Sequence, residues 1–244
     1  MKLEHVTFTG LDEHTDLNRL EDIQEKYPYA EFGVLMSYNW SKNGNRYPKL
    51  DSFLYKLYAR GLNLSAHICG QMARDVAAGK MDKIYKEMCH MSPLFNRCQL
   101  NIKVPDNIFN LRSMRPFTIQ LKEVILQMKS LNELKWWETE ILGGGNMPGI
   151  SYLIDGSGGK GVDTSLEIYP YSDITVGYAG GFNPSNVEEK LRKIYDSGNT
   201  GKFWIDMESG VRTDDDWLDL DKVEEVLKIC DPIIKEYEQD ESTR

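Results

Sequence analysis

Glycine-rich turns in the last third of the sequence carry its clearest chemical signal. Three such turns follow short apolar runs, and their residues are Gly158, Gly159, Gly180, Gly181, Asn183, Ser209 and Gly210. Glycine lets backbone N–H groups approach an anion closely, and a helix N-terminus adds a favourable dipole. The turns therefore predict a phosphate-binding site, with tight turns that hold no ligand as the alternative.

Asp155 ends the apolar run SYLI and stands directly before the first of these turns. A carboxyl group at the top of a buried strand loses solvation, which favours its protonated form and suits a general acid. Asp155 is therefore a candidate catalytic residue. The alternative is a structural aspartate that caps the glycine turn.

His67 and Cys69 stand two residues apart in the run LSAHIC, so both point to one face of a strand. Either side chain is a candidate general base, since histidine titrates near neutral pH and a nearby cation favours a thiolate. For Cys69, the alternative is a small buried hydrophobic residue.

Asp206 and Glu208 share one face of another strand in the same way. Two acids near a phosphate site repel the ligand unless a cation or a catalytic role offsets their charge, and Arg46 and Arg212 are the candidate cations. A structural salt bridge at the rim is the alternative. A divalent metal would need more ligands than the sequence places there, so neither a metal nor a cofactor is expected.

Polar side chains recur near the C-terminal ends of nearly all the runs that we interpret as strands. The series is Thr9, Ser37, His67, Cys69, Gln99, Asn101, Gln127, Lys129, Asp155, Asp206 and Glu208. In a closed parallel barrel the active site lies at this end of the strands. Gln99, Asn101 and Gln127 are therefore candidate substrate-binding residues, unless the strand ends simply meet polar loops.

Eight short β-type runs alternate with helical patterns along the chain. We predict strands over residues 5–9, 32–37, 64–69, 98–102, 124–129, 151–155, 174–179 and 203–208. We predict helices over residues 16–26, 50–60, 82–91, 132–141, 184–196 and 220–238. Asn183 is the expected N-cap of the fifth helix, and Pro232 is an expected kink or break in the last.

This alternation predicts an α/β protein in which residues 1–238 form a single (β/α)₈ TIM barrel with a closed parallel sheet. An open doubly wound sheet is the second choice. Residues 239–244 are expected to be a polar C-terminal tail. The glycine-rich segment 142–149 is expected to be a flexible loop or a lid.

Charge and composition exclude several classes of function. The chain has 244 residues and a formal net charge of −9, which argues against nucleic-acid and anionic-membrane surfaces. No signal peptide is expected from its N-terminal residues, and no apolar run approaches the length of a membrane span. The four cysteines lack zinc-ligand spacing, so reduced thiols in the cytoplasm are expected. The expected partner is a phosphorylated small molecule, bound by a monomer or a homodimer.

Several segments resemble phosphoribosylanthranilate isomerases. AGGFNPSNV (179–187) resembles that family's AGGL-x-P-x-NV, WIDMESGVR (204–212) its VDVSSGVE, and LIDGSGGKGV (153–162) its LLD…GGTG. FGVLMS…NRYP (32–48) is similar to GFVF…SPRY, CQLN (98–101) to VQLH, and VILQMK (124–129) occupies the fifth-strand place. FTG (8–10) stands where the family has KICG. The resemblance runs along the whole chain and is specific in its last third.

The resemblance implies the isomerisation of a phosphoribosyl aminoaldose to an aminoketose, an Amadori rearrangement. It implies that Asp155 is the general acid and that Arg46 faces the anthranilate carboxylate. Gly180, Gly181, Ser209 and Gly210 would hold the phosphate.

The family's general base is the cysteine of KICG, and here that position is Thr9. The base then falls to Cys69, His67 or an acid of the eighth strand. The alternative function is a barrel that binds a phosphorylated metabolite without this chemistry, or that catalyses a lyase or hydrolase reaction on one.

Overall fold

A closed barrel of eight parallel strands, each hydrogen-bonded to the next in chain order, forms the centre of the computed structural model. The structure describes residues 1–39, 41, 44–78, 80, 94–102, 123–137, 149–170 and 174–242. The strands are β1 Lys2–Thr9, β2 Ala30–Met36, β3 Leu64–Cys69, β4 Phe95–Asn101, β5 Glu123–Met128, β6 Ile150–Asp155, β7 Val176–Ala179 and β8 Lys202–Met207. The closed (β/α)₈ sheet predicted from the sequence is confirmed, and the open doubly wound sheet is excluded.

Helices lie between the strands, as the alternating pattern predicted. Those of the described residues are α1 Leu17–Lys26, α2 Leu50–Tyr58, α3 Gly70–Ala77, α4 Leu131–Trp136, α5 Val187–Tyr195, α6 Leu220–Ser242 and a 3₁₀ helix at Ser209–Val211. The Asp16 side chain caps α1 by accepting hydrogen bonds from the N–H groups of Asn18 and Arg19. Among the described residues, no helix combines the length and apolar character needed to cross a membrane.

Two predicted helix boundaries were wrong by three residues or more. α5 begins at Val187 rather than at Pro184, and its N-cap is Asn186. Asn183 instead uses its side-chain oxygen to accept hydrogen bonds from Ser185, so it closes the turn before the helix. α6 passes through Pro232 and continues to Ser242, into the segment expected to be a polar tail.

α3 was not predicted at all, because it begins immediately after β3 with no side-chain cap. The helix predicted over 82–91 lies outside the described residues, as do the end of the helix predicted over 132–141 and nearly all of the 142–149 segment.

The apolar core has two separate parts. The larger part lies between the outer faces of the strands and the helices, and includes Phe8, Phe32 and Val223. A small cluster of Ile125, Leu153 and Trp204 occupies strand positions that point into the barrel. A Cβ at Gly177 would lie 2.1 Å from the Trp204 ring, so this glycine makes room for the indole.

A buried ion pair occupies the lower part of the barrel interior. Arg97 donates to both carboxylate oxygens of Glu31, at 2.9 and 2.7 Å, and Thr7 donates to the same carboxylate at 2.9 Å. The Arg97 guanidinium also lies 4.4 Å from the centre of the Trp204 ring. Burial opposes ionisation, but the charge and hydrogen bonds of Arg97 lower the pKa of Glu31 to about 2.

Pairing of the first strand with the last closes the barrel. Val6 is paired with Ile205 and Phe8 with Met207, and the N–H of Lys2 donates to the carbonyl of Gly201 at 3.0 Å. The carboxyl ends of all eight strands therefore face one end of the molecule, where their polar residues meet.

Candidate functional site

A cavity of about 600 Å³ opens at the carboxyl ends of the strands, and seven of the eight strands contribute to its lining. That volume accommodates a phosphorylated metabolite. Fifteen of the predicted site residues line it: Arg46, His67, Cys69, Gln99, Asn101, Gln127, Asp155, Gly158, Gly159, Gly180, Gly181, Asp206, Glu208, Ser209 and Gly210. Thr9 and Asn183 do not: Thr9 is buried beneath the cavity floor, and Asn183 lies behind the second glycine turn.

Asp155, at the end of β6, is held by four hydrogen bonds. One oxygen accepts from the N–H and hydroxyl of Ser157, at 3.0 and 2.6 Å. The other accepts from the side chain of Gln127 at 2.7 Å and from the N–H of Gly159 at 2.6 Å. Asp155 therefore caps the glycine turn, the alternative raised by the sequence, and it also faces the cavity.

Asp206, at the end of β8, has a different environment. Its carboxyl group is buried and accepts one hydrogen bond, from the Thr9 hydroxyl, at 2.8 Å. Burial raises the pKa of Asp206 to about 7 against the opposing effect of the hydrogen bond from Thr9, and the charges of Glu208, Glu31 and Asp155 raise it further. This group therefore exchanges its proton near neutral pH.

His67 lies beside Thr9 inside the barrel. Its Nε2 atom is 3.3 Å from the Thr9 hydroxyl and 3.1 Å from the Ser65 hydroxyl. A Cβ at Gly33 would lie 2.7 Å from Thr9 and 2.8 Å from His67, so glycine at this position permits their approach. Burial lowers the pKa of His67 to about 4, so its imidazole is neutral at pH 7.

Cys69 is a thiol rather than a thiolate at neutral pH. Burial raises its pKa to about 11, against the opposing effect of hydrogen bonds from Tyr47 and Asn101. The Asn101 amide lies 3.2 Å from the sulfur. Among the described residues, none of the groups that shift this pKa is a cation, and a nearby cation was the condition for a reactive thiolate.

The second and third glycine turns pack against each other at the cavity. Gly180 and Gly181 have φ angles of +116° and +71°, which favour glycine. A Cβ at Gly210 would lie 2.0 Å from the carbonyl oxygen of Phe182, so the two turns touch through backbone atoms. In the first turn, the N–H of Gly158 donates to the backbone carbonyl of Asp155 and the N–H of Gly159 to its carboxylate, so both of these amides are already used.

The family model of N-(5'-phosphoribosyl)anthranilate (PRA) isomerase matches residues 127–229, rather less than half of the chain. The solved structures similar to the whole chain include the isomerases of three thermophiles. The enzyme of Thermus thermophilus has a TM-score of 0.60 at 15% identity, over 96% of this chain and 100% of that one.

The enzyme of Thermotoga maritima has a TM-score of 0.60 at 17% identity, over 94% of this chain and 98% of that one. That structure is described as monomers generated from a dimeric protein. The enzyme of Pyrococcus furiosus has a TM-score of 0.58 at 14% identity, over 93% of this chain and 98% of that one. The chain is a phosphoribosylanthranilate isomerase-like (β/α)₈ barrel. No curated protein matches its sequence.

The family match on this isomerase-like barrel covers the half that carries the glycine turns. It runs from Gln127 in β5 to Ile229 in α6, and so includes Asp155, Asp206 and all three turns. Thr9, Arg46, His67 and Cys69 lie before it. Identities of 14–17% to the solved isomerases show the fold alone.

In the isomerase-like barrel, Arg46 is already bound by two carboxylates of the protein. It forms a salt bridge with Glu208 and a bidentate pair with Asp216, at 3.0 and 2.6 Å. The hydrogen bonds to Asp216 raise the pKa of Arg46 above its usual value. Asp216 itself has a φ of +63°, a strained conformation for a residue other than glycine. The predicted salt bridge between Arg46 and Glu208 is present.

Arg212 does not pair with Asp206 or Glu208, contrary to the sequence-based expectation. It is buried, forms a salt bridge of 3.1 Å with Asp12, and donates to the carbonyls of Gly10 and Asp216. Arg212 thus ties the loop after β1 to the loop after β8.

Several residues that line the cavity of the isomerase-like barrel were not predicted from the sequence. Tyr47 and Asp216 belong to loops, where no periodicity shows which way a side chain points. Ser157 stands in the first glycine turn, whose residues Gly158 and Gly159 were already candidates. Its proximity to these glycines is the signal that could have found it.

Proposed function

We propose that this barrel binds a phosphorylated sugar derivative at its carboxyl end and catalyses an aldose–ketose rearrangement by proton transfer. The observation that carries the proposal is the pair of carboxyl groups beside the second glycine turn. Asp155 of β6 is paired in register with Ala179 of β7. On the other side of β7, Tyr178 is paired with Ile205 of β8, and Asp206 is the next residue of that strand. Gly180 and Gly181 begin directly after Ala179.

The phosphate is assigned to the space between Gly181 and Gly210. The N–H groups of Ser209 and Gly210 open the 3₁₀ helix and have no partner within it. Amides in that position attract anions. The sugar then extends over the cavity floor towards Asp155 and Asp206, with Gln99, Asn101 and Gln127 as hydrogen-bonding groups along its path.

Asp206 is the best candidate for the base that removes the proton from the carbon next to the aldose carbon. A base works best when its pKa is near the working pH, and the pKa of Asp206 is about 7. The Cys69 thiol, with a pKa of about 11, is protonated there, and the His67 imidazole, with a pKa of about 4, is a weak base. Thr9 orients Asp206 through its hydroxyl hydrogen.

We assign to Asp155 the role of general acid that the resemblance implies. In that role it donates a proton to the ring oxygen of the sugar. All four of its hydrogen bonds are donated to the carboxylate, so a proton on Asp155 has to displace one donor. The Gln127 side chain can rotate, whereas the other donors belong to the turn itself. We therefore assign Gln127 as the group that moves when the substrate binds.

The experiment is turnover of phosphoribosylanthranilate by the purified protein. We expect kcat/KM to fall as the pH drops below about 7, since Asp206 is then protonated. Asp206→Asn should lower kcat by about 100-fold or more with little change in KM. Turnover that survives in Asp206→Asn would exclude it as the base. No turnover at high enzyme concentration, by protein that still binds ribose 5-phosphate, would exclude the reaction.

A second candidate function is phosphorylated-ligand binding by a barrel with a different non-phosphate half. The ion pairs of Arg46 with Glu208 and Asp216 favour it, because they leave less positive charge for a ligand carboxylate. A thermal-shift comparison of phosphorylated sugars, with and without a carboxylate, tests it. Equal stabilisation by both kinds supports this candidate, and stabilisation only by the carboxylates contradicts it.

A further inference from the structure

A buried lysine lies directly behind the second glycine turn. Lys190, on α5, is only 8% exposed, although it is charged. Its ammonium group donates to the carbonyl oxygen of Gly180 at 2.7 Å and to Asp163 at 2.6 Å, and it lies 5.0 Å from the centre of the Phe182 ring. Lysine is almost never this buried unless its charge is used or paired.

The lysine fixes the direction of the peptide group between Gly180 and Gly181. In a trans peptide the C=O and N–H bonds point in opposite directions. Because Lys190 binds the Gly180 carbonyl from behind, the N–H of Gly181 points to the opposite side of the turn. Gly180 and Gly181 both line the cavity.

The next peptide group is held in the same manner. The carbonyl of Gly181 accepts hydrogen bonds from the side chains of Asn183 at 3.0 Å and Asn186 at 2.9 Å. The N–H of Phe182 is therefore also turned away from α5, and Phe182 lines the cavity too. Two successive amides are thus held in one orientation by side chains behind them.

The charge of Lys190 is only partly compensated. The Asp163 side chain that pairs with it is 63% exposed, so water screens that carboxylate, whereas the Lys190 side chain is 10% exposed. Arg46, a cation in the cavity wall, is occupied by two carboxylates. The ammonium group of Lys190 therefore lies under the Gly180–Gly181 turn with its carboxylate partner at the solvent side.

We propose that Lys190 is a positioning residue of a phosphate subsite, orienting the Gly181 N–H towards the ligand and supplying a buried positive charge to a phosphate dianion. This inference rests on the proposed function, since it specifies how the phosphate of that substrate is held. The lysine does not touch the phosphate. It acts through the peptide group, whose N–H becomes a stronger donor when its carbonyl binds a cation.

The experiment is calorimetric titration with ribose 5-phosphate and with inorganic phosphate. Lys190→Met keeps the length of the side chain and removes the charge, and we expect it to weaken both affinities at least about tenfold. It should also reduce the dependence of affinity on salt concentration, because one cation is lost. Lys193→Met, an exposed lysine on the same helix, should bind as the wild type does.

Asp163→Asn provides a variant with the opposite expected effect. It removes the carboxylate that partly neutralises Lys190 and keeps the side-chain size, so affinity for ribose 5-phosphate should stay equal or increase. Weaker binding by Asp163→Asn would overturn the inference, even if Lys190→Met does not fold. If the wild type binds and Lys190→Met binds equally well, this inference alone is wrong. If the wild type binds neither probe, the proposed function is wrong as well.

Discussion

Asp155 and Asp206 are the same residue type at the same end of the barrel, and they differ in what surrounds them. Asp155 accepts four hydrogen bonds, and Asp206 accepts one. A buried carboxyl group with few donors holds its proton to higher pH, so the two groups respond in opposite ways when their charge is removed.

The Asp206→Asn variant should be more stable than the wild type above pH 7. The pKa of Asp206 is raised from 3.8 to about 7, so its contribution to stability is complete below pH 3.8 and is lost as the pH rises through 7. The neutral amide avoids that loss, which we expect to be about 2–4 kcal/mol. Urea unfolding of both proteins at pH 4 and pH 8 measures it. A stability difference that does not change with pH would contradict the assignment.

The Asp155→Asn variant should lose stability at every pH where the wild type folds. The carboxylate of Asp155 has two oxygens, one for the donors of Ser157 and one for the donors of Gln127 and Gly159. An asparagine replaces one of these oxygens by an NH₂ group, so one of the two sets of donors loses its acceptor. A buried donor without an acceptor costs about 1–3 kcal/mol. The same urea series measures it, and unchanged stability would show that the turn does not depend on this carboxylate.

At the scale of elements, the glycine turns require the absence of a side chain for two different reasons. Gly181 has a left-handed backbone, and a Cβ there would lie 2.5 Å from backbone atoms of Asp163. Gly61 has a similar φ of +63°, but a Cβ there would meet nothing within 4 Å. A substitution at Gly61 therefore introduces backbone strain alone, and one at Gly181 introduces both backbone strain and steric overlap.

We expect Gly61→Ala to lower the free energy of unfolding by about 1 kcal/mol, the cost of the left-handed conformation alone. Gly181→Ala should cost about 2–4 kcal/mol, because the backbone of Asp163 has to shift as well. It should also abolish binding of ribose 5-phosphate, which Gly61→Ala keeps. Equal losses of stability in the two variants would indicate that the turn can move away from Asp163.

The elements that the sequence predicted are those with an unbroken periodic pattern. The limits of β3 match the prediction because LSAHIC is bounded by clear turn residues, and α1 lies within the predicted range 16–26. α3 has neither a capping side chain nor a connecting loop, so nothing in the sequence marks where it starts. α5 was placed three residues early because Asn183 caps a turn instead.

The site was predictable where strands supply it. A two-residue period and a common strand direction bring His67, Gln127 and Asp206 to one cavity without knowledge of the fold in detail. The partners of Arg46 were only partly predictable, because Asp216 approaches it from a loop 170 residues away with a strained backbone. Such contacts depend on the whole chain.

At the scale of the molecule, the Glu31–Arg97 pair links β2 to β4 across the barrel interior. Both side chains are almost completely buried, at 0% and 4% exposure. Removing Glu31 leaves the buried charge of Arg97 with the more distant and partly exposed Glu123, at 3.7 Å, which costs about 3–5 kcal/mol. Replacing both by apolar residues removes the charge altogether.

We therefore expect Glu31→Gln to lower the free energy of unfolding by about 3–5 kcal/mol at pH 7, and Glu31→Met with Arg97→Met to restore most of it. The pKa of Glu31 is lowered from 4.5 to about 2, so its contribution is present above pH 4.5 and is lost as the pH falls towards 2. Unfolding at pH 7 and pH 3 measures both effects. A double variant as unstable as Glu31→Gln would show that the interior needs the ions.

The hydrogen bonds between β1 and β8 bear on what a fragment of this chain would do. Residues 123–242, which contain the match to the isomerase family, begin with β5, whose edge pairs with β4, and include β8, whose edge pairs with β1. Released from the rest, that fragment would expose two unpaired strand edges, which are surfaces that bind other strands. It would self-associate, and two copies would have the number of strands needed to close a new barrel.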